Sequence, residues 1–266
     1  MGDLDLLRDR LRQLERVVVA FSGGADSALL AWVAHDTLGL AAHAVTAVSP
    51  SLPAAERDDC AALAAEWDLR WTTVATDELA RPGYVANGDD RCYHCKAELM
   101  DVVGPLALDE RATIVLGTNL DDLGDHRPGQ QAAAERGAVF PLVDAGFTKA
   151  DVRSESRALG LRTWDKPAAA CTASRVPYGT PVTFAVLDRV GRAEAALRAL
   201  GFRQLRVRHY GESARIELEA TDLAGAVRQR ADVVAAVKGA GYRYVTLDLE
   251  GFRSGNLNAA LERESQ

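Results

Sequence analysis

Val17-Val18-Val19-Ala20-Phe21-Ser22-Gly23-Gly24-Ala25-Asp26-Ser27 runs from an apolar stretch through a glycine pair into the helical apolar pattern of Ala28, Leu29, Leu30 and Trp32. A buried strand, a glycine turn and a helix start in that order make an anion cradle. Glycines let the backbone approach phosphate, and free N–H groups at the helix N-terminus point at it. Two common glycine motifs do not describe the stretch. A Walker A loop ends in Gly-Lys-Ser/Thr, and no lysine stands here; a dinucleotide fingerprint needs a third glycine, which is missing. What is left is Ser-Gly-Gly-x-Asp-Ser after a strand, a nucleotide-phosphate pattern whose plainer alternative is a tight turn with a Ser/Asp cap.

The rest of the chain supplies a frame for that loop. Its 266 residues, 48% of them hydrophobic, suffice for one large domain or two unequal ones. A net charge of −7 disfavours a broad nucleic-acid or anionic-membrane surface. The start, Met1-Gly2-Asp3-Leu4-Asp5, lacks the basic and apolar regions of a signal peptide, and no apolar run approaches a membrane span. The expectation is a cytoplasmic protein with a small ligand and neither nucleic acid nor membrane as partner.

Leu4, Leu7, Leu11 and Leu14 fall at helical spacing. Strand Val17 to Ala20, a helix to about Asp36, strand Ala42 to Val48, helix Ala54 to Trp67 and strand Arg70 to Val74 follow. With a further strand at Ile114 to Leu116, this alternation predicts an α/β fold, a mostly parallel sheet with helices on both faces. Ligands of such sheets sit at the carboxyl ends of the strands. Val48, before Ser49-Pro50-Ser51, is placed to meet adenine or ribose. Gly117-Thr118-Asn119-Leu120-Asp121-Asp122-Leu123-Gly124-Asp125-His126-Arg127-Pro128-Gly129 offers a pocket wall, with Gly117 permitting close approach and carboxylates for Mg²⁺; a solvated loop with Asx-turns is the alternative. Thr148 and Asp151 mark a helix start.

From Gly160 to Pro181 prolines and glycines oppose regular structure and mark a boundary, giving domains 1–180 and 181–266. Beyond it, helix Val182 to Leu200, strands Gln204 to His209 and Ala214 to Leu218, helix Leu223 to Lys238 and strand Tyr242 to Leu247 predict a smaller α+β layer, ferredoxin-like in pattern. Arg206 and Arg208 alternate on one strand and so share a face, suiting a phosphate or carboxylate, or else merely solvent.

Cys60 sits in an alanine-rich helical pattern and reads as a buried thiol. Arg91-Cys92-Tyr93-His94-Cys95-Lys96 places two thiols at a turn or helix start, where both can reach one metal or cluster. A thioredoxin-like pair would need a different preceding strand, and a zinc knuckle a fourth ligand that His94 could give only by bending sharply back. With Cys171 as a third, loop-borne thiol, an iron–sulfur cluster with one open iron and three unconnected thiols both stay open.

Taken together, the chain resembles the LarE family of PP-loop ATP pyrophosphatases, whose fold is adenine nucleotide α hydrolase-like. The carriers are Ser22 to Ser27, Arg91 to Lys96, Gly117 to Gly129, Trp164-Asp165-Lys166-Pro167-Ala168-Ala169-Ala170-Cys171, Ser174 to Thr180, Leu205 to His209 and Gly251 to Asn258. The resemblance implies an ATP-dependent sulfur transferase of nickel-pincer nucleotide synthesis. It adenylates each carboxylate of pyridinium-3,5-biscarboxylic acid mononucleotide with loss of pyrophosphate, and sulfur then displaces AMP. It also implies ATP at Ser22, Gly23, Gly24, Ala25, Asp26 and Ser27, to which the strand ends add Val48, Gly117 and Thr118, and substrate phosphate at Arg206 and Arg208. Lys96 and Arg175 would lie near the activated carboxylate, with Mg²⁺ or other polar contacts at Asp26, Asp122, Glu194 and Glu217.

Family members with three cysteines hold a 4Fe-4S cluster that carries sulfide, and here these are Cys92, Cys95 and Cys171. Members with only the thiol matching Cys171 sacrifice its sulfur. A sulfide or sulfur donor and a homo-oligomer, often a hexamer, complete the expectation. The rivals are a tRNA thiolation enzyme, disfavoured by the acidic charge, and a non-enzymatic ATP or cluster sensor.

Overall fold

The structure, a computed structural model, describes residues 2–124, 128–167 and 170–253. Of the motifs above, Asp125 to Arg127, Ala168, Ala169 and Ser254 to Asn258 lie outside the described residues. The chain divides into two compact units, Met1–Tyr84 with Asp89–Ala169, and Val85–Gly88 with Ala170–Gln266.

In chain order the elements of the first unit begin with α1 (Leu4–Leu14), β1 (Val17–Ala20), α2 (Ala25–Leu38), β2 (Ala42–Val48), α3 (Ala54–Glu66) and β3 (Trp71–Ala75). After the short α4 (Pro82–Ala86), whose last two residues are counted with the second unit, come α5 (Arg91–Glu110), β4 (Thr113–Val115), α6 (Pro128–Ala134), α7 (Pro141–Asp144) and α8 (Lys149–Ala158). The four strands form one parallel sheet in the order β3-β2-β1-β4. Valines fill β1 because both faces of a parallel sheet are covered: Val17 and Val19 join one apolar cluster with Leu29, Leu30 and Leu63, and Val18 joins another with Met100 and Val103. Thr148 and Asp151 cap α8 reciprocally, as their spacing predicts.

The strand order reverses between β1 and β4. That is the switch point at whose carboxyl end doubly wound sheets open a crevice. The loop after β1 and Gly117 after β4 both stand there.

The second unit holds α9 (Phe184–Ala199), β5 (Leu205–Tyr210), β6 (Ser213–Leu218), α10 (Leu223–Arg228), α11 (Arg230–Gly239) and β7 (Tyr244–Leu247). Its three-stranded sheet has the order β5-β6-β7, with β5 antiparallel and β7 parallel to β6. Neighbours in sequence are neighbours in space, so the interleaved strand order of a ferredoxin-like layer is not formed. The single helix read from Leu223 to Lys238 is two, because Gln229 leaves helical geometry at φ −93°, ψ 23°. Val207, Ile216, Leu197 and Val237 share its core. Asn87 is wholly buried in this unit, its amide donating to the carbonyls of Pro177 and Thr180 at 2.8 Å each. That is why the four residues 85–88 belong with it although they precede α5.

Candidate functional site

The glycine loop keeps its N–H groups available by avoiding every cap its sequence could have used. Gly24 is the N-cap of α2, and no side chain caps that helix. The first-turn N–H groups of a fourteen-residue helix are therefore left to an outside acceptor. The serine hydroxyls instead tie the loop together. The Ser22 N–H donates to Ser27 Oγ at 3.2 Å, the two hydroxyl oxygens are 3.0 Å apart, and Ser27 Oγ donates to the Gly24 carbonyl at 3.1 Å. The simple capped turn considered from sequence is thus not what forms.

Gly117 brings β4 against this turn. A Cβ there would lie 2.7 Å from Ser27 N and 2.9 Å from the Asp26 carbonyl carbon, both backbone atoms. Two residues on, buried Asn119 donates from its amide to Asp26 Oδ1 at 2.9 Å. Its own N–H donates to Asp122 Oδ2 at 3.3 Å, and Lys149 Nζ stands 3.1 Å from Asp122 Oδ1. Burial pushes the Asp26 carboxyl up; Asn119 opposes this, and the Asp122 charge adds to it. Two carboxylates near one another beside a phosphate cradle are hard oxygen donors of the kind Mg²⁺ takes. Thr118 is buried beside them. Val48, at the carboxyl end of β2, accepts the Thr76 N–H at 3.1 Å, so its carbonyl is used in pairing with the chain that follows β3.

The paired thiols lie on the first turn of α5, resolving turn against helix start in favour of the helix. Cys92 is exposed; Cys95 is half-buried, its thiol donating to the buried Glu78 carboxylate at 3.8 Å. His94 turns away from both, with Nε2 3.1 Å from Asp90 Oδ2 and its ring against Gly83. Lys96 lays its stem on Gly129 of α6. Cys60 is fully buried, as read, and burial pushes its thiol up. Within each unit, the described residues hold no ready-made group of three or more His, Cys, Asp or Glu for a metal ion.

In the second unit the two strand arginines are not solvated. Arg208 is 1% exposed and Arg206 9%. Arg208 makes a two-pronged pair with wholly buried Glu217, at 3.0 and 2.9 Å, and donates to the Ser174 carbonyl at 2.8 Å. Arg175, also buried, donates to Glu194 at 2.8 Å and to the carbonyls of Ala170 and Cys171 at 2.7 and 3.1 Å, holding the backbone of the cysteine loop. Glu194 further accepts the Val207 N–H and Arg198. Both glutamates, expected as metal or polar contacts, are engaged by guanidinium groups here. Arg206 forms no ion pair among the described residues and lies 4.6 Å over the Phe252 ring. Burial, then the charges of Arg175 and Arg208, push its pKa down.

Asn119, Lys149 and Lys166 are among the polar residues to which the sequence assigned no role. Each lies in or beside a motif named above, but their partners are remote in sequence.

The fold is that of an α/β protein with a PP-loop-like parallel sheet and a smaller α+β unit. The chain is 47% identical over 263 residues to the uncharacterized protein slr1717 of Synechocystis sp., covering 98% of each. It is 38% identical over 255 residues, 95% of this chain and 92% of the relative, to the pyridinium-3,5-bisthiocarboxylic acid mononucleotide synthase of Lactiplantibacillus plantarum. The uncharacterized protein MJ0830 of Methanocaldococcus jannaschii matches at 24% over 241 residues, 90% and 92% of the two chains. No protein-family model matches. The chain belongs to the LarE family, that of the L. plantarum synthase. No helix among the described residues is long and apolar enough to cross a membrane.

Proposed function

We propose that the chain is an ATP-dependent sulfur transferase that converts the carboxylates of pyridinium-3,5-biscarboxylic acid mononucleotide to thiocarboxylates. Kinship with a protein named for the bisthiocarboxylic product supports the substrate. The observation that carries ATP use is the uncapped N-terminus of α2 at the sheet's switch point, with Gly117 seated on the backbone of Asp26 and Ser27. In this reading Ser22 to Ser27, Gly117 and Thr118 receive the phosphates and the Val48 edge the nucleoside. Asp26 with Asp122 holds Mg²⁺.

Activation is chemically required because a bare carboxylate is a poor electrophile, and adenylation supplies it. A carboxylate oxygen attacks the α-phosphate, the α–β bond breaks and pyrophosphate leaves. A sulfur nucleophile then adds to the acyl carbon and AMP departs. The loop's N–H groups stabilise charge that grows on the leaving pyrophosphate, and Mg²⁺ held by Asp26 and Asp122 would add to that stabilisation. Arg206, with Arg208, receives the phosphate of the mononucleotide. Lys96 and Arg175 neutralise charge at the reacting end.

Cys92, Cys95 and Cys171 stand outside any disulfide, and thiolates are the soft ligands that iron–sulfur clusters take; a 4Fe-4S cluster on them would supply an open coordination site for sulfide from a donor. The protein works as a cytoplasmic homo-oligomer. Anaerobic turnover followed by mass spectrometry tests the reading: the nucleotide should gain sulfur in place of oxygen while the protein mass stays constant. Loss of one sulfur at Cys171 would establish the sacrificial route instead, and an unmodified nucleotide would refute the assignment.

A further inference from the structure

Behind the glycine loop stands a lysine that the reaction above does not use. Lys166 Nζ donates to the Gly23 carbonyl at 3.1 Å and pairs with Asp59 at 2.5 Å and Glu56 at 3.0 Å, both on α3. Asp59 also pairs with Arg162 at 2.7 Å, and Arg162 in turn with Glu66 at 2.8 Å, so both cations of this small cluster are neutralised. Burial alone would push the ammonium down, but the two carboxylates hold it above its ordinary range, and it stays charged.

Gly23 is built for this contact. It lies at φ +70°, and a Cβ there would meet Cys60 Sγ at 2.9 Å and Lys166 Nζ at 3.7 Å. No peptide bond among the described residues is cis. In a trans peptide the C=O and the following N–H point in opposite directions. Turning the Gly23 carbonyl toward Lys166 therefore turns the Gly24 N–H to the other side of the same plane, away from the lysine. Were the plane to flip, a carbonyl oxygen would replace that N–H and repel an incoming phosphate.

We propose that Lys166 is a positioning residue that locks the Gly23–Gly24 peptide in the anion-accepting orientation, without itself touching the phosphate. This rests on the reading of the loop as a nucleotide-phosphate site and adds the device that keeps it set.

The test is calorimetric binding of ATP, inorganic pyrophosphate and adenosine, each with Mg²⁺, to the full chain. Lys166→Met should weaken ATP and pyrophosphate by about ten- to a hundredfold, the worth of one charge-assisted hydrogen bond, and leave adenosine within about twofold. Because Lys166→Met leaves Glu56 and Asp59 facing each other, the variant Glu56→Gln/Asp59→Asn/Lys166→Met is made alongside; it relieves that repulsion but still lacks the donor to Gly23. It should show the same selective loss. Wild-type pyrophosphate affinity in the triple variant, or equal losses for adenosine and pyrophosphate, would overturn the proposal. A wild-type protein that bound neither ATP nor pyrophosphate would overturn the nucleotide reading itself, and this one with it.

Discussion

The glycine loop of the first unit and the arginine pair of the second are both anion sites by our reading, built in opposite ways. The loop binds through main-chain N–H groups left over by an uncapped helix, and its charged neighbour, Asp26, is a carboxylate that burial disfavours. The arginine site binds through side chains, and Arg208 is fully desolvated and neutralised by Glu217 before any ligand arrives. Dipoles cost little to bury, whereas a buried charge must be paired or it destabilises the fold. The loop should therefore fail in function when altered, and the arginine site in stability.

The largest expected effect lies in the second unit. Glu217→Ala strands the Arg208 guanidinium at 1% exposure and should cost about 3–5 kcal/mol in denaturant unfolding. A cost below about 1 kcal/mol would break the contrast. Next comes Gly117→Ala, whose Cβ has only backbone to push against at 2.7 Å. Displacing the loop by a fraction of an ångström should lower ATP-dependent pyrophosphate release by about 10²-fold, with a stability cost of about 1–3 kcal/mol. Arg206→Met sharpens the comparison from inside the arginine site. Arg206 has no carboxylate partner in the described structure, so its loss should leave the midpoint of unfolding nearly unchanged. It should raise the KM for the mononucleotide by about tenfold.

The smallest effect concerns pH. The Asp26 pKa is raised in the folded protein, so its ionisation opposes folding. Asp26 favours the fold while protonated, and that contribution is lost as pH rises from the ordinary carboxylate range through the raised value. Asp26→Asn should remove this decline, making the variant slightly more stable than wild type at neutral pH yet poorer in Mg·ATP binding. Thermal midpoints followed across the acid range check it; parallel curves for the two proteins would contradict it.

Local pattern reached the frame of the first unit and not its wiring. Val17 to Ala20, the glycine pair and the strand at Ala42 to Val48 could be read because strand, turn and helix each carry a short-range period. Cys60 was legible as a core thiol for the same reason. The partners of the site were not. Asn119 meets Asp26 across ninety-three positions and Lys166 meets Gly23 across one hundred and forty-three, and no spacing rule spans such gaps. Arg206 and Arg208 looked equally suited to solvent or ligand because alternation tells which residues share a face, not whether that face is covered. The break at Gln229 was missed because Leu223 to Lys238 contains no proline and reads as one helical run.

Pyrophosphate release is the most direct measurement. With Mg²⁺, ATP and a sulfide donor, adding pyridinium-3,5-biscarboxylic acid mononucleotide to the purified protein should produce pyrophosphate and AMP in equal amounts, and neither should form without the mononucleotide. Release of ADP and phosphate instead, or no nucleotide turnover when the mononucleotide is present, would contradict the proposed role of the loop at Ser22 to Ser27.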